Sequence, residues 1–337
     1  MSTWKPTLPE RPSGVTAMSV RTVDPIVHKA AWLYYVHGMR QEEVAERLDI
    51  SRASVAAYLK KAREIGVVNI STSTELFSAD FLARKIEDRF GLESVWVVPQ
   101  GHGELDSESQ ISVLAAGVFL ELVKKGDRVA VAWGKTVYQI ADVMPFADLR
   151  GVTVIQLCGN LGAPYSYRPD QCTMEIARRL NAKGINIYAP LVLSSEGLAE
   201  SLKREPVIRD QLASISECTL ALFSAGGVDD DSHIVQCGAL TRGALRALRA
   251  KGAAGVIAGQ FIDRNGAALD CAYNRQLISA DLAAIRAIPK RLVVVGQDNK
   301  IRPLQAALAG GLATHLVLTY SLAERLLADV GQAESGR

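Results

Sequence analysis

Long hydrophobic runs are missing from this chain. Nowhere in its 337 residues do about 18 or more apolar residues follow one another, so no membrane-spanning helix is expected. Cysteine is scarce. Cys158, Cys172, Cys218, Cys237 and Cys271 are scattered, odd in number and form no Cys-x-x-Cys pair. This points to reduced, mostly buried thiols in a cytoplasm. No Gly-x-Gly-x-x-Gly follows the first strand pattern and no Walker sequence occurs, which disfavours nucleotide binding. The opening MSTWKPTLPERPSG lacks the basic-then-apolar pattern of an export signal; its Pro, Ser and Gly content suggests a loose tail over residues 1–21.

Charge of either sign is nearly balanced, but not evenly spread. The net charge is +2; residues 1–70 hold 10 Lys+Arg against 7 Asp+Glu, and the remainder 28 against 29. A slightly basic small segment joined to a near-neutral large one suits a DNA-bound switch. Hydrophobic content of 48% with 22% charged residues is ordinary for a globular protein of two domains, one small and one large.

What is present begins with three helical patterns. Asp24 to His37 has apolar residues near helical spacing, with Asp24 as N-cap, Pro25 in the first turn and Gly38 as the stop. Gln41 to Leu48 is a second short helix, and Ser51 caps a third that runs to about Ile65. VVNIS then suggests a strand or wing. In a helix-turn-helix, a small residue must sit where the two helices touch, and Ala45 does. The junction must be compact, as Asp49-Ile50-Ser51 is. An apolar anchor must lie under the recognition helix, and Val55 fits. Ser51, Arg52, Ala53, Ser54 and Ala57 then crowd the end that enters the major groove. Arg52 suits a guanine edge, while Tyr58, Lys60 and Lys61 suit the phosphate backbone, and Arg40 and Gln41 stand ready for a phosphate. The alternative is a three-helix packing unit with no DNA role. Residues 72–91 read as a connecting helix.

Beyond residue 91 the pattern changes. The runs at 95–99, 128–133, 152–158, 185–190, 219–227, 254–260, 291–297 and 315–320 are strand candidates between helical stretches. Near-continuous apolar strands alternating with helices imply a parallel sheet covered on both faces, so the large domain is α/β. Ligands of such sheets bind beyond the carboxyl ends of the strands. The candidates there are Gly134, Lys135 and Thr136; Gly159, Asn160, Leu161 and Gly162; Gly226; Gln260 and Asp263; and Lys300. Amides, hydroxyls, two lysines and an aspartate suit a phosphorylated sugar or polyol. Each has a plain alternative: Lys135 as a surface lysine at a helix start, Asp263 as a turn residue. The DDDSH stretch, Asp229 to His233, reads as a polar loop rather than a metal site.

AAWLYYVHGMRQEEVAERLDISRASVAAYLKKAREIGVVNIS closely resembles the N-terminal domain of the SorC family of sugar-sensing bacterial transcriptional regulators. The likeness lies in Leu33-Tyr34-Tyr35, in Gln41, Ala45 and Leu48, and in Ile50-Ser51-Arg52 with Val55. Arg40 stands for a usual Thr and Asp49 for a usual Gly. The resemblance continues from about Thr22 through nearly the whole chain. It implies an effector domain similar to sugar-phosphate isomerase and CoA-transferase folds, with a Rossmann-like sheet. Gly134-Lys135-Thr136, the Gly159 to Gly162 turn, Phe261-Ile262-Asp263 with Gly266, and Lys300 are similar to its motifs. This implies that Thr136, Asp263 and Lys300 contact the effector.

The resulting expectation is a regulator of a sugar or polyol operon. A helix-turn-helix over residues 22–71 binds a double-stranded DNA operator, a linker helix spans 72–91, and an effector and oligomerisation domain spans 92–332. A homo-oligomer is expected, a tetramer by the resemblance, with no cofactor, metal or membrane. The rival is a sugar-phosphate isomerase-like enzyme carrying an accessory DNA-binding domain, with Lys300 and Asp263 as base and acid. No carboxylate–histidine pair supports it.

Overall fold

A computed structural model describes residues 24–68, 74–100, 106–162 and 166–334. The expected tail over residues 1–21 and residues 69–71 of the expected wing lie outside the described residues. The chain divides into two compact units, residues 1–72 and 73–337.

The first unit is three helices, α1 (Pro25–Tyr35), α2 (Gln41–Leu48) and α3 (Arg52–Glu64). Asp24 caps α1, its Oδ1 accepting from the Ile26 amide at 3.1 Å, and Pro25 supplies a preset φ in the first turn. Arg40 offers no capping acceptor, yet α2 starts cleanly because Glu43 reaches back to accept from the Arg40 amide at 2.7 Å. That is the reverse half of a capping box. Asp49 ends α2 at φ 53°, the left-handed region that a short polar residue tolerates better than most. Val27, Ala30, Ala31, Leu33, Val44, Ala45, Val55, Leu59 and Ala62 are buried together. Ala45 and Val55 therefore hold the places the spacing predicts.

The second unit opens with α4 (Thr74–Phe90), which turns Ala79, Ala83 and Ile86 into its core. Strands β1 (Ser94–Val98), β2 (Arg128–Val131), β3 (Thr153–Gln156), β4 (Lys183–Ile185), β5 (Leu220–Phe223), β8 (Lys290–Val295) and β9 (His315–Thr319) form one wholly parallel sheet, in the order β1-β9-β8-β5-β2-β3-β4. Successive residues of a strand enter opposite cores. Leu220 and Leu222 pack with α5 (Ser107–Leu122), α6 (Lys135–Val143) and α7 (Pro169–Arg179), while Ala221 and Phe223 pack on the other face with Ile86, Ile285, Leu304 and Leu326. Burying one such side chain contributes about 1.5–3 kcal/mol.

Two strand candidates differ from expectation. The 254–260 run does not join the parallel sheet. Ala258 and Gly259, at φ 47° and 86°, make a two-residue turn, so β6 (Gly255–Ile257) folds back antiparallel on β7 (Gln260–Ile262). Positive φ at both central residues is what a tight hairpin needs and what a continuous strand forbids. This hairpin docks at the end of β5 through paired Gly226 and Val256 amides and carbonyls, at 2.8 and 3.0 Å. The 185–190 run leaves the sheet after Ile185 and crosses to Asn160, whose amide donates to the Ala189 carbonyl at 2.7 Å.

Candidate functional site

The sheet order reverses at β2. The chain moves from β2 outward to β3 and β4, then returns to lay β5 on the other side of β2. The turns that follow β2 and β5 diverge there and open a crevice, which is where ligands of open α/β sheets bind. A cavity of about 540 Å³ occupies that place. Residues 132–136 line it after β2, 224–227 after β5, 256 and 258–259 from the hairpin, and 297, 299 and 300 after β8.

Gly134, Lys135, Thr136, Gly226 and Lys300 are thus brought together. Gly134 has φ 115°, and a Cβ there would meet His233 Nδ1 at 3.2 Å, so glycine lets the imidazole lie over the turn. It also caps α6 without a side-chain acceptor. The first amides of that helix favour an anion. Lys300 is half-buried, and burial pushes its ammonium down to about 8, with Lys135 adding to the shift and Glu108 opposing it. Among the described residues no carboxylate lies within ion-pair distance of Lys300.

The other expected residues do different work. Asn160 is a joint: its side-chain Oδ1 accepts from Gln156 Nε2 and the Asp170 amide, each at 3.0 Å, and its Nδ2 donates to the Ile187 carbonyl at 3.0 Å. Gly159 approaches the Ala189–Pro190 backbone so closely that a Cβ would lie 2.6 Å from the Pro190 oxygen. Leu161 packs against the hairpin's apolar cluster, and Gly162 is absent from the cavity wall. Gln260 is buried and donates to the Ala280 carbonyl at 2.6 Å. Asp263 also stands outside the cavity. Its Oδ1 accepts from the amides of Asn265 at 2.9 Å and Ala267 at 3.0 Å, so the carboxylate closes its own turn. These bonds give the Asp263 carboxylate the role of a turn residue, the alternative that its sequence context also allows.

Trp133 and Ser224 follow strands β2 and β5, whereas Tyr167 and the loop from Asp229 to His233 reach the cavity from beyond the strand ends. Trp133 and Tyr167 each stack on His233, with ring centroids 5.7 and 5.8 Å apart. Burial, Lys300 and Lys135 lower that imidazole to about 4, so it is neutral. The polar loop therefore contributes Asp229, Asp231, Ser232 and His233 to the cavity. The buried hydroxyl oxygens of Ser224 and Ser232 have no hydrogen-bond partner among the described residues. Glu108, on α5, holds Lys135 at 2.5 Å and Gln297 at 2.9 Å. Nothing in its local sequence signals this, because its partners are 27 and 189 positions away.

On the first unit, Ser51, Arg52, Ala53, Ala57, Lys60 and Lys61 are exposed, and Ser54 and Tyr58 half-exposed. Ser51 Oγ caps α3 by accepting from the Ser54 amide at 3.0 Å. Arg40, Gln41 and Arg52 share one surface depression with Tyr34 and Tyr35. Arg52 pairs with Glu42 at 2.9 Å. An exposed, basic α3 face beside a tight turn can enter a major groove.

A family model for a sugar-binding domain, Sugar-bind, matches residues 75–328, and one for sigma-70 region 4 matches residues 16–65. An uncharacterized transcriptional regulator of Escherichia coli, YjhU, is 33% identical over 93% of this chain and 97% of its own. The chain belongs to the SorC family of sugar-sensing transcriptional regulators. A deoxyribonucleoside regulator of Bacillus subtilis is 28% identical, covering 90% of this chain and 97% of the relative. The full-length sorbitol operon regulator SorC of Klebsiella pneumoniae shares the fold, with TM-score 0.69 at 22% identity over 90% of this chain and 98% of that one. As a SorC-family member the chain is a sugar-responsive, DNA-binding regulator, and its relatives are regulators rather than enzymes. No helix among the described residues is long and apolar enough to cross a membrane. No group of three or more His, Cys, Asp or Glu among them is placed to hold a metal.

Proposed function

We propose that this SorC-family regulator controls a sugar or polyol catabolic operon in the cytoplasm, and that a phosphorylated sugar or polyol sets its operator affinity. The observation that carries the reading is Lys300, a cation with no carboxylate at ion-pair distance among the described residues, in a cavity at the sheet's switch point. A phosphate would meet Lys300 and the amides that open α6. Ser224 and Ser232, whose buried hydroxyls have no partner among the described residues, would be satisfied by sugar hydroxyls; a buried unsatisfied group costs about 1–3 kcal/mol. Trp133 and Tyr167 supply apolar faces for a sugar ring. The relatives named for a deoxyribonucleoside and for a sorbitol operon support a polyhydroxylated ligand.

Arg52 reads a base edge, Ser51, Ala53, Ser54 and Ala57 lie against the groove, and Arg40, Gln41, Tyr58, Lys60 and Lys61 hold phosphates. One helix-turn-helix covers a single half-site, so a homo-oligomer, a tetramer built as a dimer of dimers, binds a symmetric operator. The effector acts by binding one quaternary arrangement better than another, with α4 as the transmitting element.

The test is fluorescence anisotropy on DNA from the protein's own upstream region, at fixed salt, across sugar and polyol phosphates and their unphosphorylated parents. A phosphorylated compound that shifts operator affinity but not non-specific affinity supports the reading. A response confined to unphosphorylated sugars would overturn it.

A further inference from the structure

Glu108 does not line the cavity, yet it pairs with Lys135, which does. It lies in the first turn of α5, behind the Asp106 cap, whose Oδ1 accepts from the Ser109 amide at 2.7 Å. One of its oxygens accepts from Lys135 Nζ at 2.5 Å and the other from Gln297 Nε2 at 2.9 Å. Lys135 opens α6 and Gln297 follows β8, so the carboxylate joins two walls of the cavity from behind. These two bonds also hold the carboxyl below its ordinary range, the Lys135 bond most strongly.

We infer that Glu108 is a specificity-determining residue of the sugar site: by neutralising Lys135 it restricts the cavity to ligands carrying one phosphate, held at Lys300. The inference rests on the proposal above that the effector is phosphorylated. Two lysines face the cavity, which alone would suit two phosphates. One is already matched by a carboxylate in a charge-assisted bond. Among the described residues the other lining side chains offer no replacement cation. Asp229 and Asp231 are acidic and His233 is neutral. A second phosphate would meet a spent lysine and two carboxylates. Specificity of this kind comes from repulsion of the wrong ligand as much as from attraction of the right one.

The test is calorimetric titration of the full chain with inorganic phosphate, pyrophosphate, a set of pentose and hexose monophosphates and a hexose bisphosphate. The wild type is expected to favour monophosphates. Glu108→Gln keeps the side chain's shape and frees Lys135, so the affinity ratio should move toward pyrophosphate and bisphosphate by about tenfold, the factor set by one partly screened charge. Glu108→Asp keeps the charge and should keep the wild-type ratio. The Glu108→Gln/Lys135→Gln pair removes both charges and should return the ratio to wild type. It serves also if the single variant fails to fold. A purely structural Glu108 would weaken all ligands in proportion. That result, an unchanged ratio in the folded single variant, or a wild type that prefers bisphosphates, overturns the inference while leaving a phosphorylated effector standing. Binding of unphosphorylated sugars alone would remove both.

Discussion

Arg52 Nη1 lies 2.9 Å from Glu42 Oε1, so the first residue of the recognition helix is tied to the helix before it. Both side chains are mostly exposed, at 69% and 56%. An exposed pair of this kind contributes about 0–1 kcal/mol to stability, so its interest is in what it does to DNA contact. Arg52→Ala should cost about 1–3 kcal/mol of operator binding and relax preference at one base pair, with little change in melting temperature. Glu42→Ala should raise non-specific affinity, because a carboxylate beside the phosphates is removed. Anisotropy at several salt concentrations, with single-base operator variants, separates the two; unchanged operator affinity in Arg52→Ala would refute its role.

Lys300 predicts opposing pH trends. Its folded value near 8 lies below the ordinary 10.5. Between those values the unfolded chain binds more protons, so the contribution of Lys300 to stability rises with pH across that window. Phosphate affinity should fall across the same window, because the folded lysine loses its charge. Lys300→Met should flatten both trends relative to wild type and abolish the effector response while sparing operator binding. Paired melting and titration series from pH 7 to about 10.5 would show it.

Gly266 and Gly310 are in direct backbone contact. Gly266 has φ 71°, and a Cβ there would lie 2.4 Å from the Ala306 oxygen and 2.5 Å from Gly310 Cα. The turn that follows β7 is thereby seated on the helix Ile301–Ala309, whose first residue follows Lys300. Gly266→Ala should destabilise the protein by about 3 kcal/mol or more, through backbone strain and forced separation. Chemical denaturation measures it.

Asp263→Asn should separate turn chemistry from ligand contact. Asparagine retains an oxygen to accept from the Asn265 and Ala267 amides. Stability and effector response should therefore stay near wild type, while Asp263→Ala costs about 1–2 kcal/mol. Loss of response in a stable Asp263→Asn would return the carboxylate to the site.

The elements were legible where local chemistry decides them. Asp24, Ser51 and Pro25 mark helix starts, Ala45 and Val55 mark the contact of α2 with α3, and continuous apolar runs mark strands buried on both faces. Glycines after strands lead to Gly134 and Gly226, which line the cavity, because a ligand crevice and a tight turn make the same backbone demand. The same demand arises from packing alone, which is why Gly159 beside Pro190 looked equivalent. Long-range pairings carried no local sign. Glu108 with Gln297, or His233 over Gly134, exists only once the sheet order is known.

The cavity's wall comes from five stretches of chain, near residues 133, 167, 224–236, 258 and 300. A molecule bound there fastens together parts of the sequence that nothing else in the site joins covalently. It is a removable cross-link. At a hundred times its dissociation constant such a ligand adds about 2.7 kcal/mol to the folded state. Nutrient supply would then set how long each regulator molecule survives proteolysis, as well as whether it holds its operator.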